Sequence, residues 1–277
     1  MKTLSTARSH GGVQGVHSHA SDACACDMTF AVFVPPQAAE RPCPVLWYLS
    51  GLTCTHANVM DKGEYRRLAA ELGLIVVCPD TSPRGPDVPD EEDNWQFGKG
   101  AGFYVDATQQ PFARNYRMYS YVTQELPALI AENFPADMAR QGIFGHSMGG
   151  HGALTVALKN PGRFRSASAF APIVQPSTAN WSRPALEKYL GADEAAWRPY
   201  DACALVEDGA RFPEFLIDQG AADGFLDEGL KPWLFERACR KAGIPLVLNM
   251  REGYDHSYFF ISTFMDDHLR WHADRLL

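Results

Sequence analysis

Apolar residues fall in short dense blocks along the chain, separated by stretches where they recur every three or four positions. Six blocks, at residues 44–50, 74–80, 142–147, 166–174, 214–220 and 245–250, are almost continuously apolar. A strand wet on one face would alternate. Unbroken runs of this length fit strands of a parallel sheet covered on both sides. Between the blocks, Tyr65, Leu68, Ala69 and Leu72 keep helical spacing, as do Met118, Val122, Leu126, Leu129 and Ile130, with a kink expected at Pro127. Ala153, Val156 and Ala157 predict another helix, Leu230, Leu234 and Ala238 a further one, and residues 257–273 the last. Ahead of these, residues 12–21 and 26–36 read as an antiparallel pair at the sheet edge. A hairpin followed by repeated strand–helix units predicts an α/β fold: a mostly parallel central sheet with an N-terminal antiparallel edge and helices on both faces. No repeat or linker divides the 277 residues, so a single domain over 1–277 is expected. Two Pro/Gly/Asp-rich stretches, 81–94 and 175–184, predict long loops of the kind that often carry function.

Composition narrows the field. Hydrophobic residues make up 46% and charged residues 21%, ordinary for a soluble globular chain. A net charge of −8 argues against nucleic acid, whose phosphates want a basic surface. No apolar run reaches a membrane span, and the first twenty residues lack the apolar core of a signal peptide, so a cytoplasmic location is expected. The seven cysteines are odd in number and scattered, which fits free thiols. His17, His19, Cys24 and Cys26 lie close together, but in His-x-His and Cys-x-Cys spacing. That fits alternating strand side chains better than a zinc site, and no metal is expected.

The candidate chemistry begins at Gly145-His146-Ser147-Met148-Gly149. Here a strand pattern ends, a serine follows, and a helix pattern begins, the context in which a Gly-x-Ser-x-Gly turn presents a nucleophile. A serine needs a base, an orienting acid and oxyanion donors. In such sheets the acid and base follow later strands, in the order Ser, acid, His. Asp218, Asp223 and Asp227 are the acids on offer, and Asp223, flanked by Gly220 and Gly224 in a loop, suits the position best. Of nine histidines, His256 alone has both the order and a loop position after the last strand. Backbone amides of Met148, next to the serine, and of Leu52, in the turn after the first parallel strand, are the expected oxyanion donors.

The stretches WYLSGLTC, FGKGAGFYVDAT, YRMYSYVTQELP, GHSMGGHGAL, KNPGRFRSASAFAPI, IDQGAADGFLDE and GYDHSYFFI strongly resemble the S-formylglutathione hydrolase, or esterase D, family from about residue 10 onward. The resemblance implies an α/β-hydrolase fold and a cytosolic serine thioesterase that hydrolyses S-formylglutathione in formaldehyde detoxification, without a cofactor and commonly as a homodimer. It places the family's triad on Ser147, Asp223 and His256, and its oxyanion donors on Leu52 and Met148. Cys54 matches a cysteine beside the family's active site. It reads equally as an accessory thiol or as packing. Substrate-pocket residues expected beside the triad are Cys54, His146 and Trp181. Where the family carries a Pro-Trp-Gly-like segment this chain has STANWSRPALEKYLG, which keeps Trp181 but changes its flanks. DEEDNWQFGKG and NYRMYSY are expected to line the site, as in the family.

A broad small-acyl carboxylesterase would share every triad residue, and an acyltransferase would share the fold. Kinetics on thioester against ester, and product analysis with a competing alcohol, separate these. A binding protein on a hydrolase scaffold would fail to label with a fluorophosphonate.

Overall fold

Nine strands join in one sheet in the computed structural model, which describes residues 1–91 and 93–277. They are β1 (Lys2–Ser9), β2 (Gly12–Ser21), β3 (Cys26–Val34), β4 (Cys43–Leu49), β5 (Ile75–Pro79), β6 (Ala136–His146), β7 (Ser166–Phe170), β8 (Phe215–Gly220) and β9 (Leu246–Arg251), ordered β1-β2-β3-β5-β4-β6-β7-β8-β9. The pairs β1/β2, β2/β3 and β3/β5 are antiparallel, and the rest of the sheet is parallel. Strands β4, β5, β7 and β8 are buried at every position, as their unbroken apolar runs require. The six expected parallel strands and the antiparallel pair are all present.

The sequence pattern did not predict β1. It pairs with β2 yet is exposed over seven of its eight residues, so it is held by ladder hydrogen bonds and leaves no apolar signature. His17 and His19 on β2 meet protein partners: Thr3 Oγ1 lies 3.2 Å from the His17 ring and Tyr121 Oη 3.2 Å from that of His19.

The helices are α1 (His56–Lys62), α2 (Arg66–Leu72), α3 (Met118–Ser120), α4 (Leu126–Asn133), α5 (Met148–Lys159), α6 (Arg183–Leu190), α7 (Ala202–Glu207), α8 (Pro232–Ala242) and α9 (Tyr258–Leu276). α1, α2 and α9 pack together over one face of the sheet, while α5, α7 and α8 cover the other. The single kinked helix expected around Pro127 is α3 and α4 joined by a π turn at Tyr121–Glu125. Pro127 has no N–H to give and crowds the carbonyl four residues back; the wider π turn opens that point. The segment expected as a loop at 175–184 holds a short 3-10 turn, Pro176–Thr178, and opens α6.

Register sets the carboxyl ends of the parallel strands side by side. Leu49 pairs with Gly145, His146 with Phe170, Phe170 with Asp218, and Gly220 with Arg251. The loops after β4, β6, β8 and β9 therefore open along one edge, where sites form in such sheets. Among the described residues no helix is long and apolar enough to cross a membrane.

Candidate active site

Ser147 stands alone between the end of β6 and the start of α5, at φ 58° and ψ −117°. A non-glycine residue held there is strained, and here the backbone around it is fully engaged. Its N–H donates to the Phe170 carbonyl at 3.0 Å, and its own carbonyl accepts from the N–H of His151 at 2.9 Å and of Ile173 at 3.3 Å. The turn is tight enough that a Cβ on Gly149 would lie 1.9 Å from the Leu49 carbonyl oxygen, and one on Gly145 2.4 Å from that of Gly149. Both neighbours are backbone and cannot swing aside, which is the physical content of the two flanking glycines.

Asp223 and His256 arrive on the loops after β8 and β9. Asp223 Oδ2 lies 2.6 Å from His256 Nδ1. The carboxylate is buried and further held by the Phe225 N–H at 2.8 Å and Gln219 Nε2 at 3.2 Å. A carboxylate on Nδ1 puts the ring proton there and leaves Nε2 as an acceptor. Ser147 and His256 face the same cavity. Among the described residues no hydrogen bond joins Ser147 Oγ to the His256 ring, a looseness common before substrate binds.

The other two candidate acids lie elsewhere. Asp218 accepts from Asn249 Nδ2 at 2.7 Å and Arg251 Nη2 at 3.0 Å, and His268 Nε2 is 3.5 Å away. Burial alone would raise its carboxyl, but His268, Arg251 and Asn249 together hold it below the ordinary value. His268 continues through Ser168 to His272 and Ser166, a chain of contacts of 2.6 to 2.8 Å inside the core. Asp227 lies in a π turn, Leu226–Leu230.

Met148 is the first residue of α5, whose opening amides have no acceptor within the helix. The Leu52 N–H donates to no protein acceptor among the described residues. Leu52, Ser147 and His256 share a cavity of about 350 Å³. Cys54 and His146 line it too, as does Trp181. Burial pushes the Cys54 thiol up, so it is protonated near neutrality. His146 is buried, with its ring 4.3 Å from that of His256. Desolvation, then the neighbouring His256 charge, hold its pKa well below the ordinary value.

Trp181 packs on Gly229, where a Cβ would come within 2.2 Å of the indole. Its ring begins an aromatic wall: Trp95 at 6.0 Å, Phe225 at 6.0 Å on the other side, then Phe225 to His256 at 5.0 Å. Phe225, Tyr258 and Asn58 line the cavity and were not picked out by sequence reasoning, which located the reacting groups but not which nearby side chains turn toward them. Of the two stretches expected to line the site, DEEDNWQFGKG contributes Trp95, and its Glu92 lies outside the described residues. NYRMYSY does not line this cavity; Tyr116, Met118 and Tyr121 are fully buried in the core instead. A second cavity of about 330 Å³ lies between α7 and α8 near Cys203 and Arg237, away from these groups.

Comparison with known proteins bears on this geometry. The Esterase family model ("Putative esterase") matches residues 21–271. The S-formylglutathione hydrolase of Mus musculus is 54% identical over 100% of this chain and 99% of its own length. That of Paracoccus denitrificans is 54% identical over 99% of this chain and 98% of its own. The solved structure of an S-formylglutathione hydrolase from Agrobacterium tumefaciens superposes with a TM-score of 0.99 at 71% identity, covering 100% of both chains. The expected α/β-hydrolase architecture and the expected resemblance are both borne out, and the chain belongs to the S-formylglutathione hydrolase family of esterases.

Proposed function

We propose that the chain hydrolyses S-formylglutathione to glutathione and formate through a formyl-enzyme on Ser147. The observation that carries the reading is the 2.6 Å contact between Asp223 and His256 at the cavity that also holds Ser147. His256 Nε2 takes the Ser147 proton as Oγ attacks the formyl carbonyl. The Leu52 and Met148 amides hold the oxyanion, in a cleft where such donors are worth roughly 3–4 kcal/mol each. The C–S bond then breaks. A thiol near pKa ~8.5 leaves easily, so assistance by His256 matters less than it would for an amine; the proton taken from Ser147 passes from His256 to the departing sulfur, which returns the ring to its neutral, basic form. Water, deprotonated by His256, attacks the formyl ester and releases formate and Ser147. Asp223 fixes the imidazole tautomer and stabilises its positive form. The aromatic wall of Trp95, Trp181 and Phe225 offers an apolar flank to the thiol half of the substrate.

A cytoplasmic location and a homodimer are part of this proposal. Both are supported by the family resemblance, and the location also by seven free cysteines. Light scattering on the purified chain tests the dimer: a mass near twice 30.6 kDa is expected, and a monomer overturns it.

The deciding experiment compares kcat/KM for S-formylglutathione, S-acetylglutathione and 4-nitrophenyl acetate in the native chain and in Ser147→Ala. The expected result is a clear preference for S-formylglutathione, with Ser147→Ala losing several orders of magnitude on all three while keeping its fold. A native enzyme that favours the ester instead is a carboxylesterase. An alanine variant with near-normal turnover removes Ser147 from the chemistry.

A further inference from the structure

The loop after β4, Ser50-Gly51-Leu52-Thr53-Cys54, does not hold its shape unaided. Thr53 sits at φ 64°, a left-handed conformation that a β-branched side chain resists. Such a residue persists only where its surroundings over-determine it. Those surroundings come from residues 80–84 and 100–104, outside the triad and its loops. Tyr104 Oη donates to the Ser50 carbonyl at 2.9 Å. The Thr53 N–H donates to the Gly100 carbonyl at 2.8 Å, and the Gly100 N–H donates in turn to Ser82 Oγ at 2.8 Å. The Cys54 carbonyl accepts from Thr81 Oγ1 and, at 3.0 Å, from Arg84 Nη2. Arg84 is itself fixed, with Nε 3.1 and 3.0 Å from the two oxygens of Asp80, a carboxylate only 5% exposed.

These anchors bracket Leu52. One grips the carbonyl two residues before it, and the others grip the next two residues. Between them the Leu52 amide donates to no protein acceptor among the described residues. Arg84 supplies the one charged donor in the bracket, and charge-assisted hydrogen bonds are about twice as strong as neutral ones.

We infer that Arg84, paired with Asp80 and assisted by Tyr104, is a positioning residue that fixes the Leu52 amide in the place where the oxyanion forms. The inference rests on the proposed role of Leu52 as an oxyanion donor. A misplacement of about 1 Å can cost on the order of 100-fold in rate. The negative oxygen develops only as Ser147 attacks, so loosening the anchor weakens the transition state and leaves ground-state binding nearly intact.

The test uses Arg84→Met, Arg84→Lys and Tyr104→Phe in the full chain. It reads kcat and KM for S-formylglutathione and 4-nitrophenyl acetate, and inhibition by 2,2,2-trifluoroacetophenone, whose carbonyl Ser147 would convert to an anionic hemiketal. Arg84→Met is expected to lower kcat roughly 10- to 100-fold with KM within about threefold, and to weaken the ketone by a similar factor. Arg84→Lys should recover part of the loss, and Tyr104→Phe should follow the same pattern more mildly. Full kcat per folded Arg84→Met molecule, or a raised KM with unchanged ketone affinity, overturns the inference. If Arg84→Met does not fold, Tyr104→Phe and Arg84→Lys decide by the same criteria. A native enzyme active on 4-nitrophenyl acetate but not on S-formylglutathione would end the substrate proposal while leaving the anchor readable on the ester.

Discussion

Asp218 and Asp223 stand five residues apart in one short stretch, yet their side chains reach different histidines. Asp223 meets His256 at the cleft, whereas Asp218 turns into the core toward Asn249, Arg251 and His268. Asp223→Asn is therefore expected to cut kcat roughly 10⁴-fold, because an amide at Nδ1 favours the wrong tautomer. Asp218→Asn should leave kcat of the folded enzyme within a few-fold while costing about 1–3 kcal/mol, since it weakens the charge-assisted bond to the half-buried Arg251 and puts an amide beside the Asn249 amide it accepts from. Urea unfolding beside steady-state kinetics separates the two, and a large kcat loss in Asp218→Asn with normal stability would reverse the assignment. The order Ser147, acid, His256 was legible along the chain. Apart from the family resemblance, the choice of acid was favoured by loop position only, because the partners that draw Asp218 away come from β9 and α9. The packing of Trp95 and Phe225 on either side of Trp181 was hidden for the same reason: the three meet only in space.

At the scale of elements, the turn from β6 into α5 was the most legible part of the chain. Its glycines mark backbone crossing backbone, and no other residue fits. Gly149→Ala would set a Cβ against the Leu49 and Ser50 carbonyl oxygens, at 1.9 and 2.6 Å. Such overpacking costs roughly 1–3 kcal/mol or more, and relief requires moving the turn that presents Ser147. Both Tm and the kcat of the folded fraction should fall; a variant with native values for both would show that the strand and helix can part freely. Elements buried on both faces announced themselves by composition, as β4, β5 and β8 did. Those held mainly by hydrogen bonds or by short contacts did not. β1 is a polar strand on an open edge, and α7 is six residues long, capped by the Asp201 side chain on the Ala204 N–H. The π turn before Pro127 has no sequence code beyond the proline itself.

Across the whole molecule, burial keeps several histidines neutral. His151 is fully buried and its pKa falls to about 4, with desolvation as the main cause. His272 and His146 are lowered well below 6.5, also chiefly by desolvation. In the unfolded chain each of these titrates near 6.5, so below that pH the unfolded state takes up protons that the folded state does not. Their stabilisation is present above about pH 6.5 and is lost as pH falls, at a limiting slope of about 1.4 kcal/mol per pH unit for each group. Asp80 and Asp201, raised by burial, oppose this only closer to the carboxylate range. Urea midpoints at pH 7.5 and pH 5.5 should differ clearly in favour of the higher pH. Equal midpoints would mean that these rings become charged within the fold.

The aromatic wall at the cleft also gives the molecule a built-in optical signal. Two of its six tryptophans, Trp95 and Trp181, stand with ring centres 6.0 Å apart at the cavity. Their emission should respond when a thiol or thioester settles against them, so occupancy of the cleft can be followed by fluorescence without attaching any dye.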